Sequence, residues 1–255
     1  VSASPKTNIR VLVVTNGGFT QSSMYFVMQA IQSTTPVTFD IQINTPPQLV
    51  DIDHDLVILH EVDAGLLVLR TIRDVIEHVQ GGGGAVLTYQ RDLYALGYQE
   101  LLTFYSCSAQ QATAALNTEA SRILAGIDFG TTPAYHQVSA AKSMQVIAEA
   151  EDGSPLIATY ALGAGQILYY GIPLEQASFS TDPLYPVFWR EMLNQLSGRE
   201  RIDDLNRVTG EIVRVQSART PSGNLVEGRL LLAEQGLYDT PGNAIAANLV
   251  DARES

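Results

Sequence analysis

The sequence predicts an α/β fold: a doubly wound, mostly parallel sheet with an antiparallel extension and a small C-terminal β appendage. Three observations carry that prediction. Short apolar runs alternate with amphipathic helical patterns, glycine turns separate run from helix, and near the end the pattern changes to alternating strands without helices. At about 150 residues per domain, the 255 residues suit one large domain with a smaller companion, divided as 1–199 and 200–255.

Ile9 to Thr15 (IRVLVVT) is β-branched and nearly all apolar, as a strand covered on both faces should be, and it stops at Asn16-Gly17-Gly18. Met24, Phe26, Val27, Ala30 and Ile31 follow at helical spacing behind Thr20 or Ser22 as N-cap, and Pro36 ends the segment. Val37 to Ile43 alternates apolar with polar residues, which predicts an outer strand with one covered face. Asp55 to His60 repeats the buried pattern. Leu66, Leu69, Ile72, Val75, Ile76 and Val79 define an amphipathic helix closed by Gly81 to Gly84, and Ala85 to Thr88 is the next strand.

The middle predicts helices at Tyr98 to Phe104 and around Gln110 to Leu116. Met144 to Ala150, Leu156 to Tyr160 and Gln166 to Tyr170 then read as an antiparallel meander, with turns at Asp152-Gly153 and Gly163-Ala164-Gly165. Pro183 to Leu196 has proline in its first turn and apolar residues at helical spacing, so it predicts a helix packed back on the sheet. Beyond Ser197-Gly198, strands are expected at Glu211 to Gln216, Leu225 to Leu232 and Ala244 to Val250. Their turns fall at Pro221-Ser222-Gly223 and Pro241-Gly242. Three or four such strands make a marginal unit that gains from packing on a neighbour or completing a sandwich with further sequence.

Composition excludes several classes of function. With 45% hydrophobic and 16% charged residues the chain is not intrinsically disordered. Its formal charge of −12 argues against nucleic acid as a partner. One cysteine permits neither an intramolecular disulfide nor a thiolate zinc cluster. The chain has no apolar run long enough for a membrane span, and its start at Val1 suits an excised piece of a longer protein.

The glycine turn Asn16-Gly17-Gly18 lies between a buried strand and a helix, where doubly wound folds bind ligands, although it lacks G-x-G-x-x-G spacing and G-K-[ST]. A tight strand-to-helix turn explains the same residues, and a helix C-cap explains Gly81 to Gly84. His60 ends a buried strand on the ligand side of the sheet, and Gln90 follows the next strand. Asn16, Gly17, Gly18, His60 and Gln90 are therefore the candidate ligand-binding residues. Cys107 with His60 or His136, oriented by Asp55 or Glu61, has the residue types of a thiol nucleophile and base. Cys107 nevertheless lies in YSCSAQ, well beyond the nearest strand, so no catalytic residue is assigned. Asp51-Ile52-Asp53-His54-Asp55 opens like a calcium loop but has Leu56 and Val62 where glycine and glutamate belong. H-E-x-x-H, paired C-x-x-C and G-x-S-x-G are absent, and neither metal nor cofactor is implied.

Two stretches resemble the extracytoplasmic part of prokaryotic BatA-like membrane proteins, which often carry von Willebrand A or glutamine-amidotransferase-like domains. One is Asp152-Gly153-Ser154-Pro155-Leu156-Ile157 followed by Gly163-Ala164-Gly165-Gln166-Ile167. The other is Gly236-Leu237-Tyr238 with the ending Ala246 to Ser255, a pattern that in such proteins commonly precedes a membrane helix. Residues 9–199 also resemble the class I glutamine-amidotransferase-like fold, a flavodoxin-like architecture. There the catalytic cysteine follows the strand read here at Ala85 to Thr88, yet this chain has Thr88-Tyr89-Gln90-Arg91 at that point. His136-Gln137-Val138 likewise matches no H-x-E pair. The resemblance thus implies the fold without the activity.

The resulting expectation is a non-catalytic extracytoplasmic domain of a membrane-anchored protein, serving protein–protein interaction at the membrane or ligand sensing. The alternatives are a hydrolase or transferase, or a cytosolic small-molecule binder using Asn16 to Gly18 as an anion seat. Both place the site at the C-terminal edge of the parallel sheet.

Overall fold

Burial on both faces explains why the first strand is apolar throughout. Six of the eight residues of β1 (Asn8–Thr15) are buried, and alternate side chains enter two different cores. The computed structural model describes residues 8–35, 37–47, 51–63, 65–90, 109–113, 115–116, 127–138, 144–198, 206–240 and 243–248. The chain divides into two units, Thr7–Ser197 and one containing Gly198–Ser255.

The first unit continues with a 3₁₀ turn (Phe19–Gln21), α1 (Ser23–Thr34), β2 (Thr38–Asn44), β3 (Leu56–His60), α2 (Leu69–Gln80) and β4 (Gly84–Thr88). Next come β5 (Ala109–Thr113), β6 (Ala115–Leu116), β7 (Thr131–His136), β8 (Met144–Glu149), β9 (Pro155–Leu162) and β10 (Gly165–Tyr170). A second 3₁₀ turn (Ser178–Thr181) and α3 (Tyr185–Leu196) close the unit. An eight-stranded sheet runs in the order β2-β1-β3-β4-β10-β9-β8-β6. From β2 to β10 neighbouring strands are parallel, and from β10 to β6 they are antiparallel. Strand β10 is therefore both the last parallel strand and the first of the meander. A separate antiparallel pair joins β5 to β7.

Helices cover both faces, as the doubly wound reading requires. On one face Val11, Val13, Ile58, Val86 and Leu168 pack with Met24 and Met28 of α1 and Phe188, Trp189 and Leu193 of α3. On the other, Leu12, Val57, Leu59, Leu87 and Ile167 pack with Ile72, Val75 and Val79 of α2. The glycine run before β4 serves this packing. A Cβ on Gly84 would stand 2.3 Å from the Leu196 carbonyl oxygen, so strand and helix end meet backbone to backbone. Gly81 caps α2, its N–H bonding to the carbonyls of Glu77 and Val79.

Four sequence expectations need correction. Helix α2 begins at Leu69 rather than Leu66, because Leu66 and Leu67 donate back to the Asp63 carbonyl and Val68 is extended. Helix α3 begins at Tyr185 rather than Pro183, and Pro186 is the proline of its first turn. The stretch read as helix around Gln110 to Leu116 holds strands instead, at Ala109–Thr113 and Ala115–Leu116. Pairing with β7 and β8 overrides the helix propensity of its Ala and Gln residues. Strand β7, with proline inside it, went unforeseen. Tyr98 to Phe104 and Cys107 lie outside the described residues.

In the second unit, β11 (Asn206–Val208), β12 (Ile212–Arg219), β13 (Leu225–Leu231), β14 (Gly236–Thr240) and β15 (Asn243–Asn248) form one sheet, in the order β11-β15-β14-β12-β13. Its core is Ala218, Leu230, Leu232, Tyr238, Ile245 and Ala247. The sheet has five strands where three or four were expected, because β11 and β14 are too short to show as periodic runs. Gly223, at φ +90°, makes the foreseen turn after Pro221. Pro241-Gly242 lies outside the described residues.

Candidate functional site

The loops after β1, β3 and β4 diverge at the carboxyl edge of the sheet and, with residues 173–176 after β10, enclose a cavity of about 790 Å³. That volume is within the range of small-molecule sites. All five residues singled out from sequence (Asn16, Gly17, Gly18, His60 and Gln90) line it. They do different things there.

Asn16 and Gln90 are braces. The Asn16 side chain accepts from the Asp63 N–H at 2.9 Å and donates to the Pro46 carbonyl at 3.3 Å, tying together the loops after β1, β2 and β3. Gln90 accepts from the Val62 N–H at 2.8 Å and donates to the Leu59 carbonyl at 2.9 Å. Each amide thus makes one donated and one accepted bond within the protein. The backbone of Gln90 is clamped in turn by His136, whose Nε2 donates to the Gln90 carbonyl while Tyr89 stacks on its ring at 4.9 Å.

His60 is the presented group. It is only 5% exposed, and its ring is held at one edge by Nδ1 against Thr88 Oγ1, 3.1 Å away. Phe19 packs edge-on against the ring at 5.6 Å. Thr88 Oγ1 lies within hydrogen-bond distance of both His60 Nδ1, at 3.1 Å, and the Leu59 carbonyl, at 3.3 Å, so its single proton goes to one or the other and the ring tautomer follows from that choice. Burial pushes the His60 pKa below the ordinary histidine value, against the pull of the Glu61 and Glu175 carboxylates.

Sequence reasoning missed the acidic lining. Glu61, Asp63 and Glu175 border the cavity, and no lysine or arginine is among its described lining residues. Glu61 sits in the left-handed region at φ +44°, unusual for a side-chain-bearing residue. Its carboxylate lies over the glycine turn, and a Cβ on Gly17 would stand 2.1 Å from Glu61 Oε2. Glu175 arrives from a distant part of the chain and accepts from the Ser23 N–H at the start of α1, at 2.6 Å. A positive φ at Glu61 and a long-range approach by Glu175 leave no local sequence signal.

The same geometry weighs against the anion seat. The Gly17 N–H is already given to Thr15 Oγ1 and the Asn16 N–H to the Glu61 carbonyl, and a carboxylate covers the turn. Asp55 does not orient His60. It lies at the opposite end of β3, where it accepts from the Arg10 N–H at 2.8 Å, while neighbouring Asp53 pairs with the Arg10 guanidinium at 2.9 Å. Among the described residues no three His, Cys, Asp or Glu side chains are placed to hold a metal ion.

In overall structure the α/β unit is similar to a cytoplasmic protein of Salmonella typhimurium LT2, STM1381. The TM-score is 0.59 at 12% identity, over 74% of this chain and 99% of the other. A second cytoplasmic protein of Salmonella typhimurium, STM3548, gives 0.58 at 11% identity, over 74% and 98%. A protein of Parabacteroides merdae described as ThuA-like gives 0.51 at 14%, over 75% and 91%. These likenesses concern the fold. No curated protein sequence matches the chain. Residues 199–247 match a second domain of unknown function, DUF7406. Residues 10–192, which contain every strand and loop that builds the cavity, match the family described as Domain of unknown function (DUF7408), and the chain belongs to that family.

Proposed function

We propose that the α/β unit is a non-catalytic, ligand-sensing domain on a class I glutamine-amidotransferase-like, flavodoxin-like scaffold. The observation that carries this reading is the cavity: it is built by mutually satisfied braces, and it lacks an activated nucleophile among its described lining residues. Ser22 donates to the Phe19 carbonyl at 2.7 Å while capping α1, and Thr88 Oγ1 is held between His60 Nδ1 and the Leu59 carbonyl. Tyr89 and Gln90 stand after β4, where an amidotransferase carries its cysteine. The fold of the ThuA-like neighbour supports the scaffold. A thermal-shift screen of small polar metabolites on the whole chain tests the site. A saturable rise in Tm that His60→Gln abolishes is expected, and a flat response across the screen would remove the reading.

The parent protein, in this proposal, is membrane-anchored, carries this part outside the cytoplasm, and couples ligand occupancy to protein partners at the membrane. Support comes from the resemblance of Gly236-Leu237-Tyr238 and the ending from Ala246 to BatA-like proteins. No helix among the described residues is long and apolar enough to cross a membrane, so the anchor would lie elsewhere. Fractionation of native full-length protein, with protease applied to intact cells, tests this. Membrane recovery with external cleavage is expected; recovery in the soluble cytosol would exclude it. The place of His60 in the cavity wall favours one second reading, a hydrolase or transferase using His60 as base. A turnover that survives His60→Ala would exclude that role.

A further inference from the structure

We propose that the amino edge of the sheet, opposite the cavity, carries an acid-sensitive latch. The uncharged ring of His78 lies over Gly83 and holds the end of α2 to the start of β4, and a proton taken up by that ring, beside His54, frees the junction while the two cores of the α/β unit stay closed.

Three loops meet at this edge backbone to backbone. The Gly83 N–H donates to the His78 carbonyl at 3.1 Å and the Gly84 N–H to the Asp55 carbonyl at 3.0 Å. From the turn between β9 and β10, the Ala164 N–H donates to the Gln80 carbonyl at 3.0 Å. A Cβ on Gly165 would run into the carbonyl oxygens of Gly83 and Val79. His78 is laid over this junction, and a Cβ on Gly83 would collide with its Nε2, Cε1 and Cδ2. His78 Nε2 and His54 Nδ1 are both buried, and neither has a hydrogen-bond partner among the described residues. An imidazolium carries a proton on each nitrogen, so charging His78 places a charged donor at a buried atom that has no acceptor.

The groups that face the pair set the direction of the response. Burial holds His78 below the ordinary histidine value; repulsion from His54 adds to it, and the Gly84 backbone and the Asp55 carboxylate oppose it. Burial and then the charge of Arg10 lower His54, against Asp53, Asp40 and Asp55. Asp53 is paired with the Arg10 guanidinium at 2.9 Å, and Asp55 accepts from the Arg10 N–H. The Gly163-Ala164-Gly165 turn and Leu196-Ser197 at the end of α3 bring no titratable group. A His78 ring that swings out to water regains its ordinary affinity for a proton. The open junction therefore binds a proton that the closed one refuses, and acid favours opening.

Amide hydrogen exchange on the whole chain, corrected for intrinsic rates, tests the latch. Between pH 7.5 and 5.5 the Gly83, Gly84 and Ala164 amides are expected to lose about tenfold in protection, as a ring that titrates near 6.5 only when released would produce. Low urea should leave these rates unchanged, the mark of a local opening. Gly83→Ala, which pushes the ring off the junction, and His78→Gln, which takes up no proton, should each abolish the acid response, and His60→Gln should keep it. Titration of the ring protons by NMR should place His78 below 6.5 in the native chain and near 6.5 in Gly83→Ala. Protection at the three amides that stays level with pH in the native chain would overturn the latch. So would a loss with the same urea dependence as the core amides of Val86 and Leu168, since global unfolding alone would then answer the acid. An acid response that survives in His78→Gln would overturn the assignment to His78.

Discussion

His60 and His78 are both held neutral by burial, and that fixes the direction in which acid acts on the fold. In the unfolded chain each titrates near 6.5, so below that pH the unfolded state binds protons that the folded state refuses. Their contribution to stability is full above about pH 6.5 and is lost progressively as the pH falls towards their depressed folded values. Urea midpoints measured from pH 8 to 5 should be level at first and then decline, with a shallower decline in His60→Gln. A midpoint that rises on acidification would contradict the burial argument. Thr88→Val removes the hydrogen-bond partner of His60 Nδ1 while keeping the shape of the side chain. It should cost about 1–3 kcal/mol, the price of leaving a buried polar group unpaired, as urea unfolding would read it. Much of this site was legible residue by residue. Asn16 and Gln90 follow a buried strand and His60 closes one, and in a parallel sheet those positions converge at one edge. What they do there was not legible, since it depends on Pro46, Val62 and Thr88 arriving from other strands, and hydrogen-bond partners at such separations leave no periodicity.

Glycines at element junctions separate two kinds of constraint. Gly84 has an ordinary backbone conformation, yet an added Cβ would meet the Leu196 carbonyl at 2.3 Å, a main-chain atom that moves only with the end of α3. Gly84→Ala should cost about 1–3 kcal/mol through overpacking between β4 and that helix. Gly153 is the converse case: its Cβ would meet nothing within 4 Å, but its φ of +80° disfavours any side chain. Gly153→Ala should cost about 1–2 kcal/mol by backbone strain alone, and Gly153→Asn, which tolerates the left-handed region, should recover part of it. Equal behaviour of the Ala and Asn variants at 153 in urea unfolding would contradict the assignment. At this scale the sequence was most legible where one element buries one stripe. Helix α2 kept its apolar stripe from Ile72 on, left Leu69 exposed, and lost its first turn to the carbonyl of Asp63. Legibility failed at β5 and β6, where a helix-forming composition is recruited as pairing for β7 and β8.

Each unit of the chain holds its own core, and the two differ greatly in what they bury. The α/β unit encloses Trp189, Phe188, Tyr170 and Tyr185 in one aromatic cluster, whereas the core of the five-stranded sheet comprises, among the described residues, six buried ones. A unit of that size buries a smaller fraction of its unfolded surface, and less apolar burial has to offset the conformational entropy of each residue. The chain has one tryptophan, fully buried in the α/β unit, so its fluorescence follows that unit alone while far-UV circular dichroism follows strands of both. On heating or in urea the two signals should separate. Part of the β-sheet ellipticity should disappear first, with tryptophan emission unmoved, and the aromatic cluster should open in a second, steeper transition. Calorimetry should accordingly give a van't Hoff enthalpy smaller than the calorimetric one. Superimposed transitions with equal enthalpies would mean that the units unfold as one cooperative body, and a site ligand would then stabilise both together. If they separate, a ligand in the cavity raises only the tryptophan transition, because only the unit that binds it gains RT ln(1 + [L]/Kd).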